Sequence, residues 1–298
     1  ERDDVGSVKG IYGIGFGDMI TNHISKKVLT YIGHISYLIK LPFRLQIIKL
    51  AGVAFRICKS MGFYFSFDCF KQVCALVAIN RCITQEMKRK RLIFLMIGDG
   101  YGFLSSLIKE IYPNSTLILV DIGKTLLFQT FYCQKAHPEK IHNTIFDLEE
   151  SNLNMSSIGK YGFIYCPADT LKRILKLKYD IAINIASMQE MNIETIERYF
   201  SFMRNTMNKN NLFYCCNREL KVLRGGERLE FDKYPWQNDD IHLFDEYCPW
   251  YKYFITGQKT KSGPKLFGFR IPWVAYFDGL LRHRLTILSI NSDDKRNL

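Results

Sequence analysis

Leu92-Ile93-Phe94-Leu95-Met96-Ile97-Gly98-Asp99-Gly100-Tyr101-Gly102 is the stretch that decides the fold. An apolar run of strand length breaks into three alternate glycines, and Phe103 to Ile111 then continues with helical spacing. A strand, tight turn and helix of this kind is the unit on which nucleotides sit, because glycine lets backbone approach a ligand closely. The next apolar run, Thr116 to Val120, ends in Asp121, a carboxylate suited to accept hydrogen bonds from both hydroxyls of a ribose.

Outward from that unit the pattern repeats. Gly162 to Cys166 reads as a third strand leading into Pro167-Ala168-Asp169 and a short helix, and Tyr179 to Ala186 reads as a fourth strand. Ile193 to Met207 has helical spacing and Leu212 to Cys216 is a fifth strand. Alternating β and α elements predict an α/β, Rossmann-like fold with a mainly parallel central sheet. The spacing also discriminates between cofactors. The dinucleotide fingerprint G-x-G-x-x-G would need its third glycine where Phe103 stands, so this G-x-G-x-G turn disfavours NAD.

G-x-G-x-G followed by Asp121 resembles the class I S-adenosylmethionine (SAM) methyltransferases. That resemblance implies SAM as cofactor and contacts from Gly98, Asp99, Gly100, Gly102 and Asp121, with Ser187 at the rim past the fourth strand. It also implies that Asp169 reaches the adenine amino group, with Asp147 the weaker candidate; a helix-cap or turn role would account for either aspartate equally. The family places an acid two residues before the first glycine, where this chain has Met96. Asp99 or another acid is then left to help hold the methionine amino group.

Further segments are similar to the bacterial sugar O-methyltransferases of surface-polysaccharide loci. They are Ile185 to Met191, Leu212 to Arg218, Gly225-Gly226-Glu227, Tyr234-Pro235-Trp236 and Glu246 to Trp250, together with Gly98 to Phe128. The resemblance implies methyl transfer to a sugar hydroxyl, with a sugar, nucleotide sugar or glycan as acceptor. Free thiols and the basic helical N-terminal region lead us to expect a cytoplasmic enzyme, free or peripheral to the inner face of the membrane. Two alternatives stay open: a small-molecule or ribose O-methyltransferase, and a non-catalytic SAM-binding assembly subunit.

A hydroxyl is a poor nucleophile until deprotonated, so a base or a divalent metal is expected at the cleft. Candidates are Glu190, Asp239, His242, Asp245 and Glu246. His242 has the pKa best suited to the task, and Asp239-Asp240-Ile241-His242 could orient it or hold a metal through oxygen ligands. An acidic surface loop with an incidental histidine would look the same. Glu190 could serve as the base, bond the cofactor or cap a helix, and His283 could approach from the C-terminal segment. Trp236, Trp250 and Tyr251 fit a sugar-stacking lid and a hydrophobic core equally well, and Gly225-Gly226-Glu227 reads as a tight or mobile loop.

At 298 residues and 47% hydrophobic, the chain can bury one sizeable core. We expect a mainly helical N-terminal cap over residues 1–87 and a methyltransferase domain over 88–298, with an acceptor-side segment from about 224. A chain opening on Glu1 rather than Met is expected of a fragment or a processed protein. The nine cysteines form no C-x-x-C pair, which argues against zinc and for free thiols in a reducing compartment.

A net charge of +12 and the run Lys88-Arg89-Lys90-Arg91 favour anionic partners, although a helix end would also hold such a run. Nucleic acid is disfavoured, because Ala186-Ser187-Met188-Gln189 stands where base-amine methylases carry an Asn/Asp-Pro-Pro-aromatic tetrad, and no RNA-binding module is recognisable. Residues 34–82 are apolar and basic, yet no stretch reaches the ~18 uncharged residues needed to span a bilayer. Helical recurrence over Leu45 to Ile57 and Phe70 to Asn80 predicts two helices. They pack on the catalytic domain or a second copy, or lie on anionic lipid. Gly13-Ile14-Gly15-Phe16-Gly17 repeats the glycine spacing without a following acid and reads as a loop.

Overall fold

The computed structural model describes residues 24–147, 154–255, 263–266, 268–270, 274–277 and 279–290, so the Gly13–Gly17 stretch lies outside the described residues. The chain forms two compact units, Glu1–Arg81 with Cys248–Asp278, and Cys82–Tyr247 with Gly279–Leu298.

In the first unit, helices α1 (Ile24–Lys40), α2 (Arg44–Ser60) and α3 (Phe67–Cys82) accompany an antiparallel pair of strands, Tyr253–Ile255 and Val274–Tyr276. The last two helices contain the spans predicted from periodicity. Their core is aromatic: the His34 ring stacks on Phe67 and Phe70 at 5.7 and 4.6 Å between centroids, and burial lowers its pKa to about 4, so it packs neutral. Lys71 is fully buried and stays solvated by protein groups. Its Nζ bonds Asp68 at 2.9 Å and lies 4.3 Å over Phe277 and 4.8 Å over Tyr251.

The second unit opens with α4 (Gln85–Arg89), which ends in the basic run, and continues with β1 (Ile93–Ile97), α5 (Phe103–Ile111), β2 (Thr116–Asp121) and α6 (Gly123–Ala136). Then come β3 (His142–Thr144), β4 (Phe163–Pro167), β5 (Tyr179–Ile185), α7 (Ile193–Thr206) and β6 (Met207–Arg218). The hairpin β7 (Leu220–Val222) and β8 (Arg228–Glu230) precedes β9 (Ile241–Tyr247) and β10 (Leu281–Ile287).

The eight-stranded sheet runs β3-β4-β2-β1-β5-β6-β10-β9. Every neighbour from β3 to β6 is parallel, and β10 lies antiparallel between β6 and β9. This is the Rossmann-like α/β architecture expected from the alternation. All five residues of β1 are buried, which is why the strand reads as an unbroken apolar run: both faces of a parallel sheet are covered. On one face Leu95, Ile97, Val120, Ala182 and Phe213 meet Phe200 and Met203 of α7.

Three features differ from the sequence expectation. The short helix after the third strand is a 3-10 segment, Ala168–Ile174. The edge strand β3 has only three half-buried residues, too few to show a period. β10 carries Arg282, His283 and Arg284, charges that mask its strand character. Its partner strand answers them: Asp245 of β9 bonds Arg282 at 2.6 Å and Arg284 at 2.5 Å.

One buried ion pair ties α7 to the loop before β9. Arg204 donates to both Asp240 oxygens at 2.7 and 2.8 Å, and also to the Pro235 and Ser289 carbonyls. Both side chains are almost wholly buried. Removing one partner leaves an uncompensated charge, so we expect Asp240→Ala to lose about 3–5 kcal/mol in urea unfolding, and Arg204→Met with Asp240→Leu to lose less than that.

Candidate active site

The sheet order reverses at β1. The chain leaves β1 for β2 and β4 on one side and returns to β5 and β6 on the other, so a crevice opens at the carboxyl ends of β1 and β5. The glycine turn stands there, and its three glycines serve different ends. Gly98, at φ +71, donates its amide to the Val120 carbonyl at 3.0 Å, and a Cβ on it would lie 2.1 Å from the Ser187 hydroxyl. Gly102, at φ +89, starts α5 close enough to α6 that a Cβ would lie 2.9 Å from Cys133 Sγ. Gly100, at φ +57, has nothing within 4 Å of a Cβ position, so its backbone faces open space.

Two carboxylates flank this opening. Asp99 accepts the Ser105 amide at 2.9 Å and so caps the first turn of α5, where the helix dipole favours negative charge. Burial nevertheless pushes its pKa up to about 7. Asp121 accepts its neighbour Ile122's amide at 2.8 Å and the Gln129 Nε2 at 2.7 Å, and burial outweighs those bonds to bring its pKa up to about 6. The same Gln129 nitrogen donates to the Gly100 carbonyl at 3.2 Å, so one amide from α6 links the acid to the turn. Gln129 Oε1 is buried with no hydrogen-bond partner in the protein. Orphaned buried acceptors are uncommon in folded proteins and call for an explanation.

The rim across the crevice is held by amides. Asn184, at the end of β5, donates to the Ile97 carbonyl at 2.9 Å, and its Oδ1 accepts from Asn217 Nδ2 at 2.8 Å. Asn217 Oδ1 accepts the Gln189 amide, and Gln189 Oε1 accepts the Arg218 amide at 2.8 Å. Between them Ala186 adopts φ +59, a left-handed conformation that costs a non-glycine residue roughly 1–2 kcal/mol. Its amide is fixed to the Cys216 carbonyl at 2.8 Å. Ser187 donates to the Ile97 carbonyl at 3.1 Å and accepts from Asn184, which packs its hydroxyl against the first glycine.

Gly98, Asp99, Gly100, Gly102, Asp121 and Ser187 therefore share one crevice. Asp169 is exposed just past β4, whose Pro167 pairs with Asp121, and so stands at the same edge of the sheet. Asp147 bonds the Thr144 amide and hydroxyl, as a turn residue does.

The six candidates for the base are not gathered at one point: Asp239 is exposed in the loop before β9, and only His283 and Glu246 are bonded to each other. Glu190 follows β5 at the rim, largely exposed, with Lys221 Nζ 3.3 Å from its Oε1. His283 pairs with Cys216 at the carboxyl edge, but it is buried and neutral, its pKa lowered by burial. Its ring nitrogens meet the Tyr214 hydroxyl at 3.1 Å and Glu246 at 3.3 Å. Asp245 lies between Arg282 and Arg284; burial alone would raise its pKa, and those guanidinium bonds turn the shift downward.

His242 sits on the outer strand, paired through Thr286, Phe213 and Ala182 to the level of Leu95 in β1. Four strand spacings separate it from β1, roughly 19 Å. Its Nδ1 meets the Thr286 hydroxyl at 2.9 Å, and Asp240 beside it is committed to Arg204. Among the described residues no group of three His, Cys, Asp or Glu side chains is arranged to hold a metal.

The aromatic residues divide between the units. Trp236 packs in the core, 4.9 Å from Phe200 with its indole N–H on the Phe231 carbonyl, and Trp250 is buried in the other unit. Gly225-Gly226-Glu227 closes the β7–β8 hairpin as a tight turn, and Glu227 accepts the Ile193 amide at the start of α7. Gln129, Asn184 and Asn217 carry no spacing signal that sequence reasoning could use. A separate cavity of about 640 Å³ opens by Lys88, Arg89 and Tyr112, at the amino end of β1 and away from the glycine turn.

No family model and no curated protein matches the chain. Solved structures do. A candidate O-methyltransferase from Nostoc punctiforme is 12% identical over 49% of this chain and 36% of its own, with a TM-score of 0.33. TehB from Haemophilus influenzae is 10% identical over 70% of this chain and 61% of its own, at 0.40. A coclaurine N-methyltransferase bound to N-methylheliamine and SAH is 12% identical over 60% of this chain and 51% of its own, also at 0.40. This chain thus spans about a third of the Nostoc protein. Likeness at these scores carries no weight for activity, and the fold assignment stands on strand order and direction.

Two outcomes follow from the geometry. Gly98→Ala must displace the Ser187 rim and should lower the melting temperature sharply, whereas Gly100→Ala meets only the strain of its backbone angle and should cost about 1–2 kcal/mol. Asp121 holds its proton to a higher pH when folded than when unfolded, so its ionisation destabilises the ligand-free protein as pH rises from about 4 through about 6. We expect Asp121→Asn to gain stability relative to the parent by about 2–3 kcal/mol between pH 4 and pH 8, read from paired urea melts.

Proposed function

We propose that this protein is a SAM-dependent O-methyltransferase whose acceptor is the hydroxyl of a sugar, carried as a nucleotide sugar or glycan precursor. The observation that carries the reading is the opening over Gly100, with the Asp121 carboxylate tied to that turn through the Gln129 nitrogen. These groups fit an adenosyl ligand: a half-buried carboxylate can accept from ribose hydroxyls, and an open glycine lets the rest of the ligand lie against backbone. SAM supplies a methyl group on a sulfonium with a good leaving group.

The chain's own work is to bind, align and deprotonate. Asp121 would hold the ribose end, positioned by Gln129, and the Asp99-capped start of α5 fixes the turn. The Asn184, Asn217 and Gln189 network keeps the opposite rim rigid, as alignment of a hydroxyl with the methyl carbon requires. Glu190 is the residue we assign to accept the hydroxyl proton. It stands at the rim with its carboxylate largely in solvent, whereas His283 has both ring nitrogens engaged and Asp245 is held by two arginines. The sugar assignment is supported by the resemblance of the segments Ile185 to Met191, on this rim, and Leu212 to Arg218, the part of β6 that ends at it.

Calorimetric titration with SAM, S-adenosylhomocysteine and NAD tests the cofactor. We expect both adenosyl ligands to bind and NAD not to, and Asp121→Ala to weaken SAM by about 1–3 kcal/mol. Absence of adenosyl binding overturns the reading. Turnover is then measured as S-adenosylhomocysteine formed with nucleotide sugars and with ribonucleosides. Glu190→Gln should lower kcat by about 10²-fold or more with SAM affinity unchanged. Binding without turnover on any hydroxyl acceptor would favour a non-catalytic subunit.

A further inference from the structure

Helix α1 is apolar on two sides. His34 and Tyr37 are buried against the aromatic core of its own unit. Val28, Ile32, Ile35 and Ile39 are exposed by 52, 57, 58 and 61%. Spaced by four, three and four residues, these four fall within about 60° of one another around an α-helix, forming a single stripe. Scattered exposed aliphatics are ordinary, but a continuous row of β-branched side chains marks a surface that something covers.

Helix α2 pairs the same feature with charge. Ile47, Leu50, Ala54 and Ile57 are buried, while Leu45, Ile48 and Phe55 are exposed together with Lys49, Arg56 and Lys59. Helical spacing sets those three cations on the same side as the three exposed apolar residues. Residues 24–60 contain seven Lys or Arg and no Asp or Glu.

We infer that the exposed face of α1 and α2 docks on an anionic membrane surface, its aliphatic side chains entering the interface and its cations meeting lipid phosphates. Charge complementarity selects this occupant. A second copy would set the three cations of α2 against their like, with no carboxylate in residues 24–60 to pair them. A nucleic acid would answer the cations and leave the aliphatic row in water. An interfacial helix combines an apolar stripe with basic residues and does not cross the bilayer. No described helix is long and apolar enough to cross one.

Flotation of the full chain with vesicles tests this independently of any enzymatic activity. Vesicles of phosphatidylcholine containing about 30% phosphatidylglycerol should carry the protein upward, and vesicles of phosphatidylcholine alone should not. Lys49→Gln with Arg56→Gln should lower the partition coefficient about 25-fold, roughly fivefold for each cation removed from the surface. Ile32→Ser with Ile35→Ser should abolish flotation while the thermal melt stays unchanged, since both positions are exposed. The inference is overturned if neither vesicle binds or if both double variants float like the parent. It is also overturned if light scattering shows a dimer that Ile32→Ser with Ile35→Ser dissociates.

Discussion

Between Gly98 and Ser187 there is no room for a side chain, since a Cβ at position 98 would lie 2.1 Å from the serine hydroxyl. That approach joins the ends of β1 and β5, the two strands between which the sheet order reverses. Much else depends on it. The chain must leave β1 at positive φ, which carries it up and over the strand ends. There Asp99 can reach back to cap α5, and α5 then runs down beside α6 with only Gly102 at the closest point. The opening over Gly100 is what this path leaves uncovered, a crevice formed by connectivity rather than by a gap in packing.

The opposite rim is strained and then braced. Ala186 in a left-handed conformation is costly, and such strain persists only where neighbours over-determine it. Here the neighbours are backbone bonds from β6 and a chain of three amide side chains running from Ile97 to Arg218. Amides suit this place because each offers both a donor and an acceptor without a charge to solvate. The result is a rim whose position is set by strands on both sides, the condition for holding a reacting group in line.

How much of this could be read from residues alone follows from what kind of signal each part leaves. β1, β2, β4, β5 and β6 are apolar runs bounded by turns, and the glycines and Asp121 announce themselves by spacing, so the parallel half of the sheet apart from its edge strand β3, and one wall of the crevice, were legible. β10 was not, because its arginines are answered by Asp245 on the neighbouring strand, a pairing that sequence order does not reveal. Gln129 and Asn217 act through partners far along the chain and share no pattern with them. Asp239 to His242 looks like a local constellation, yet the chain turns into a strand there. Asp240 points its carboxylate at Arg204 while His242 pairs beside Thr286, so adjacency in sequence separates them in function. Trp236 could not be apportioned between lid and core, since both uses ask for the same flat apolar ring.

The two carboxyls at the crevice explain why such a site has to be assembled rather than merely exposed. Asp99 and Asp121 both sit where burial disfavours their charge, and Asp121 adds to the cost of ionising Asp99. Asp121 has the Ile122 amide, the Gln129 nitrogen and the Thr125 hydroxyl to offset that cost, and Gln129 divides its nitrogen between the acid and the Gly100 carbonyl. Its oxygen is left with nothing. A ligand bringing hydroxyl donors would repair the deficit at the carboxylate by bonding it. Under the proposed function, the instability at the crevice is thus a store of binding free energy, released only by a molecule that carries donors to the end of β2 and lies flat against Gly100.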